Sequence, residues 1–168
     1  MRLGVKLVAA EDFLPNAVAA YFREFEEKGI SVQGSSGREG GDFLEQFKTI
    51  PNTTLLYVRE KDEKIIGMAN IRYGLNAFLF REGGHVGYSI RPSEWGQGYG
   101  TALLQEALGF CRLIGLDSVL VICEKENPAS ARVIEKCGGV LEDEVMGEFT
   151  GKRMRRYWVE GEHICTTN

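Results

Sequence analysis

His85-Val-Gly-Tyr-Ser-Ile-Arg91, Trp95-Gly-Gln-Gly-Tyr-Gly100 and Thr101-Ala-Leu-Leu-Gln-Glu-Ala-Leu108 stand nearly end to end, with only Pro92-Ser-Glu94 intervening. The first reads as a strand that ends at Pro92, which has no N–H to give to a ladder. The last opens an amphipathic helix running from about Tyr99 to Ile114. Strand, glycine turn and helix make an anion-binding arrangement: the first helical N–H groups lack intrahelical acceptors, the dipole adds partial positive charge, and glycines let a diphosphate approach the backbone. On the residues alone, a plain tight turn is an equal reading. The P-loop run of Gly, four residues and Gly-Lys-Ser/Thr is missing, and the motif lies mid-chain after a meander, unlike a dinucleotide fold that opens with strand, turn and helix.

Working upstream, Leu3, Val5 and Leu7 alternate as in a half-buried strand, and Val18, Ala19, Phe22 and Phe25 recur at helical spacing between Pro15 and Lys28, before Gly29. Gly34 to Gly41 breaks all periodicity and reads as a loop. A short helix is expected from Asp42 to Ile50, then strands Leu55 to Glu60 and Ile65 to Tyr73 about Lys61-Asp-Glu-Lys64. Downstream, Ser118 to Cys123 is an apolar strand of the buried kind, so the preceding helix forms a crossover between parallel strands. Pro128 to Cys137 reads as a helix closed by Gly138-Gly139, followed by strands Val140 to Met146 and Met154 to Val159.

At 168 residues the chain suits one domain, 1–168. Its net charge of −4, with no basic run interleaved with aromatics, lacks the footprint of a nucleic-acid binder and favours a cationic partner. No apolar run approaches a membrane span and no signal peptide is apparent, so a cytoplasmic location is expected. Cys111, Cys123, Cys137 and Cys165 lack metal or redox spacing and read as reduced, mostly buried thiols; His85 and His163 are too few for a metal site, and none is expected.

Gly84 to Leu104 resembles the signature region of the GNAT superfamily of acetyl-CoA-dependent N-acetyltransferases, whose pattern is Arg or Gln, two residues, Gly, one residue, then Gly or Ala. Gly98 and Gly100 fit, and Trp95 replaces the usual Arg or Gln. Glu126-Asn-Pro-Ala-Ser-Ala-Arg-Val-Ile-Glu-Lys-Cys-Gly-Gly139 resembles the second signature, an Asn followed by a helix ending in a glycine pair. The resemblance covers nearly the whole chain and implies an α+β, three-layer fold: a mixed, largely antiparallel sheet of about seven strands, a β-α-β crossover and flanking helices. Acetyl-CoA is the implied cosubstrate and a primary amine the implied acceptor, with direct transfer in a ternary complex. A homodimer is one assembly the resemblance implies. A non-catalytic acyl-CoA sensor and a transferase of another acyl group are the competing readings on the same fold.

Carried over residue by residue, the resemblance assigns Ser89, Ile90, Arg91, Gly96, Gln97, Gly98, Tyr99, Gly100, Thr101, Asn127 and Ser130 to the cofactor. A lysine-like amine is only ~0.1% neutral near pH 7.4, a penalty of about 4 kcal/mol, so a proton acceptor is needed. Glu82 and His85 hold the family's position for it, with Glu124 third. The competing readings are a solvated loop carboxylate for Glu82 and a histidine bonded to backbone for His85. The helix tyrosine that reprotonates the thiolate in many members is replaced by Ile134, leaving Tyr88, Tyr157 or water. Asn127 reads equally as a helix cap. Phe78, Leu79 and Phe80 are candidate walls for the acceptor.

Overall fold

Side-chain alternation along β2 (Asn52–Arg59) and β3 (Lys64–Arg72) divides the protein into two cores. Leu56, Val58, Ile65 and Met68 pack against Tyr21 and Phe25 of α1 (Pro15–Glu27) on one face. Leu55, Tyr57, Ile66, Ala69 and Ile71 face the other way, onto Leu103, Leu104, Ala107, Leu108 and Cys111 of α2 (Tyr99–Leu113). Ala131 and Ile134 of α3 (Pro128–Lys136) join that second core. Leu103 and Leu104 are fully buried, and truncating either to Ala costs about 2–5 kcal/mol.

The computed structural model describes residues 4–13, 15–32 and 50–161. The remaining strands are β1 (Val5–Ala9), β4 (Val86–Ile90), β5 (Ser118–Glu124), β6 (Val140–Met146) and β7 (Arg153–Glu160). The sheet order is β1-β2-β3-β4-β5-β7-β6. Every neighbouring pair is antiparallel except β4 with β5, which α2 connects. The expected seven-stranded mixed sheet with one crossover is therefore the observed fold.

Differences lie at element ends. β1 is described from Val5, Leu3 lying outside the described residues, and β2 begins at Asn52 because Asn52 and Thr53 pair with Arg72 and Ile71 although neither is apolar. One π-helical turn, Leu79–Gly83, precedes β4. The expected Gly34–Gly41 loop, most of the Asp42–Ile50 helix, His163 and Cys165 lie outside the described residues. Cys111, Cys123 and Cys137 are buried and free. Burial pushes their thiols up to about 12 for the first and about 11 for the other two, so at neutral pH none is a ready nucleophile. Among the described residues, no helix is long and apolar enough to cross a membrane, and no group of three or more His, Cys, Asp or Glu is placed to hold a metal.

Candidate active site

The parallel strands β4 and β5 meet at a single pair, Val86 with Val121, although β4 continues to Ile90 and β5 to Glu124. Just before it, the His85 N–H donates to Leu120 O at 2.7 Å. Gly84 adopts φ +70°, and a Cβ there would stand 2.6 Å from Leu120 O, so only glycine lets the strands close to this distance. On its other side β4 bonds to β3 through alternate residues, with Arg72 N–H donating to His85 O and Arg91 N–H to Ile66 O. Alternation turns the backbone groups of Tyr88 and Ile90 away from β3, towards the unpaired side. The Ile90 carbonyl accepts from Trp95 Nε1 at 2.8 Å, so Tyr88 holds the innermost edge groups past the single pair.

At the far end of this edge, Gly96 and Gly98 have φ +76° and +81°, and Gly98 is the N-cap of α2 without any side-chain cap bond. The first-turn amides of Tyr99, Gly100 and Thr101 are thus presented outward, and a Cβ at Gly98 would meet nothing within 4 Å. The space an anion needs is open. A charged bracket holds the turn from behind: Glu94, only 6% exposed, accepts from Arg59 at 2.9 Å, Lys64 at 2.8 Å and Gln97 Nε2 at 3.1 Å. Gln97 therefore braces the turn with its side chain. Sequence reading missed Glu94, whose charged partners Arg59 and Lys64 lie in the β2–β3 hairpin.

Asn127 Oδ1 accepts from Ser130 N at 3.1 Å, capping α3. Ser130 Oγ lies 2.9 Å from the Tyr88 hydroxyl. Burial raises the Tyr88 pKa, outweighing that hydrogen bond, so the phenol keeps its proton at neutral pH. The family tyrosine position, Ile134, is fully buried apolar core.

Ser89 and Arg91 are placed differently from the expectation of cofactor contacts. Their side chains lie on the α1 face, where Ser89 Oγ is 2.9 Å from Tyr21 Oη, and Arg91 donates to Ile65 O at 2.8 Å and Glu24 at 3.0 Å. The register commits their backbone groups to β3. Both hold the strand rather than line its open edge.

Glu82 is 5% exposed, and its carboxylate accepts the N–H groups of Phe149 at 3.0 Å and Thr150 at 3.1 Å. It is neither solvated nor free. Burial works to raise its pKa, but these amides prevail and hold it below the usual carboxylate range. With the folded pKa depressed, the clamp is fully present above the ordinary carboxylate pKa and is lost as pH falls through the folded value. His85 Nδ1 accepts the Leu120 N–H at 2.9 Å, which puts the neutral ring's proton on Nε2 and leaves no open lone pair. Burial first, and the Arg72 charge second, lower its pKa and keep the ring neutral at pH 7. The imidazole thus takes the backbone-bonded arrangement and braces the strand junction.

A groove of about 560 Å³ is lined by Phe78, Phe80, Arg81, Glu148, Arg156 and, among others, Phe149, whose N–H donates to Glu82; Glu82 itself does not line it. Phe78 and Phe149 pack edge to face at 5.3 Å, while Arg156 covers Phe80 and is neutralised by Asp143. Leu79, expected in the same wall, is instead fully buried.

The sequence matches the family model described as acetyltransferase (GNAT) domain over residues 17–140. No curated protein matches it. Among solved structures, the ribosomal-protein-S5-alanine acetyltransferase of Vibrio fischeri is 19% identical with a TM-score of 0.68, covering 96% of this chain and 94% of that one. Mutant forms of the spermidine/spermine N-acetyltransferase SpeG of Vibrio cholerae are 17% identical at a TM-score of 0.67, covering 96% of each chain. The structure of yncA from Salmonella typhimurium with its cofactor acetyl-CoA is 15% identical at 0.63, covering 94% of each. These likenesses give the fold, and the family match takes in both the parted strands and the capped α3: the chain belongs to the GNAT acetyltransferase family and is an acyltransferase.

Proposed function

We propose that this protein transfers the acetyl group of acetyl-CoA directly to a primary amine in a ternary complex. The observation that carries the reading is the single β4–β5 pair continuing into an uncapped, glycine-led helix N-terminus. The amides of Tyr99, Gly100 and Thr101 would hold the pyrophosphate, and the free edge at Tyr88 together with the Ile90 N–H would take the amide groups of the pantetheine arm. The Tyr88 N–H is the donor positioned to stabilise a tetrahedral oxyanion, an interaction whose removal typically costs about 3–4 kcal/mol. Glu82 retains lone pairs and negative charge at neutral pH, so it is the group of the candidate pair able to take the amine proton. Tyr88 Oη, on the opposite face of the sheet and bonded to Ser130, is the available O–H donor for the departing thiolate. The aromatic groove, in which Arg81 pairs with Glu148 and Arg156 with Asp143, suits the apolar body of an amine, while the chain's net charge of −4 favours a cation overall.

The decisive test measures thiol release from acetyl-CoA against chemically diverse amines, with longer thioesters in competition. Tight acetyl-CoA binding without thiol release would leave an acyl-CoA-binding module. Gly98→Val is expected to weaken coenzyme A binding at least tenfold while the protein still folds, because its side chain enters the open space before the amides. Calorimetric titration of the folded variant checks it, and unchanged affinity removes the site. Asn127→Ala is expected to raise the KM for acetyl-CoA and to cost about 1 kcal/mol of stability through the lost cap. Kinetics and melting on one preparation separate the two, since a cap alone leaves KM unchanged.

A further inference from the structure

Asn70 carries a buried acceptor with no donor. Its residue is 1% exposed, and its Nδ2 donates to Asn52 Oδ1 at 2.9 Å and Thr54 Oγ1 at 3.0 Å, while Oδ1 has no partner. A buried carbonyl in this state forfeits its hydration without return, so a native example calls for a reason. Its place in the fold supplies one. Asn70 stands opposite Gly87 in the β3–β4 register, one residue past Val86, where β4 and β5 part. It is two residues beyond Met68, which belongs to the α1-side core, so its side chain shares that face. Gly87 interposes no side chain between it and the parting strands. Under α1, β2 and β3 present Leu56, Val58, Ile65 and Met68, whereas here they present Thr54 and Asn70, with Ser89 opposite Met68 on β4.

We propose that Asn70 Oδ1 is a binding group for the acceptor, receiving an N–H from the amine-bearing substrate and holding it on the α1 side of β4. The proposal rests on the acetyl-transfer reading for the nature of the ligand. A primary amine has one N–H for this oxygen and another to surrender as it attacks.

The test uses the wild type, Asn70→Leu and Asn70→Asp, each saturated with coenzyme A and melted with phenethylamine, spermidine or an alanyl peptide amide as probe. Both substitutions abolish donation to Asn52 and Thr54, but only Asp keeps an acceptor. At least one probe is expected to raise the melting temperature of the wild type and Asn70→Asp and to leave Asn70→Leu unmoved, with coenzyme A affinity equal in all three. In turnover, Asn70→Leu is expected to raise the KM for that amine tenfold or more with kcat within threefold of wild type. Asn70→Met serves as a second acceptor-free variant should Asn70→Leu fail to fold. Equal shifts in all proteins, as a trapped water on Oδ1 would give, overturn the proposal; so do loss in both variants alike and no shift in any. The expected melting pattern without thiol release from acetyl-CoA would uphold Asn70 and reject acetyl transfer.

Discussion

Glu82→Gln is expected to lower turnover by roughly 100- to 10,000-fold while leaving acetyl-CoA affinity near wild type. Two effects act together in this variant, and the geometry tells how to separate them. Glutamine retains one acceptor oxygen but turns an NH₂ towards a backbone N–H of Phe149 or Thr150, where the carboxylate accepted both. The β6–β7 turn then loosens as the charge disappears. Gly147→Ala supplies the control: its Cβ would stand 2.5 Å from Glu82 Oε2, so it disturbs the clamp while leaving the carboxylate in place. A residue that only positions the turn predicts a raised acceptor KM in both variants and kcat intact. A proton acceptor predicts that kcat collapses in Glu82→Gln alone and that the residual rate climbs with pH, as free amine replaces the lost base. If kcat in Glu82→Gln falls less than threefold at saturating amine, Glu82 is a clamp and nothing more. An amine whose pKa is near 8 softens the effect, since about a fifth of it is already neutral at pH 7.4.

The amides on Glu82 show why the fold was more legible than the site. Periodicity of two and of 3.6 is local, so strand β4, the glycine turn and helix α2 could be read from consecutive residues. Glu82 meets its partners 67 and 68 positions away, and Arg91 meets Glu24 at a separation of 67. No local pattern carries such contacts. Which groups a strand residue leaves free depends on register, which a local pattern does not carry: Ser89 falls opposite Met68 on the α1 face, and Arg91, just past β4, gives its N–H to Ile66 O and its side chain to Ile65 O and Glu24. His85 shows the same limit, because its ring nitrogen is engaged by Leu120, on a strand joined only through the crossover. One signal was present in the sequence. Asn70 interrupts Ile65-Ile-Gly-Met-Ala-Asn-Ile71, an otherwise apolar run, and a lone amide in such a strand marks either a cross-strand bond or a ligand.

Gly84→Ala is expected to destabilise the protein by roughly 3 kcal/mol or more, enough to lower the melting temperature by about 6–12 °C in a chain of this size. Part of that cost is conformational, since φ +70° with ψ −176° lies in a region essentially reserved to glycine and penalises an L side chain by about 1–3 kcal/mol. The rest is contact: Leu120 O at 2.6 Å and Leu120 C at 3.2 Å from the added Cβ are backbone atoms of a central strand and cannot swing aside. Gly98→Ala gives a partial separation, for at φ +81° and ψ 0° with nothing within 4 Å it carries only the smaller cost of the left-handed region and no contact cost. Gly74→Ala, with neither positive φ nor a neighbour within 4 Å, is the neutral reference. The difference between Gly84→Ala and Gly98→Ala thus sets an upper bound on how firmly β4 is held against β5 at its base, since Gly84 also bears the larger conformational cost. The same displacement weakens the His85 to Leu120 bonds and the single Val86–Val121 pair, so coenzyme A binding along the parted strands should fall together with stability. Were Gly84→Ala to melt within about 2 °C of Gly98→Ala, the junction would be pliant, and a strand opening set by glycine at its base would have to be given up.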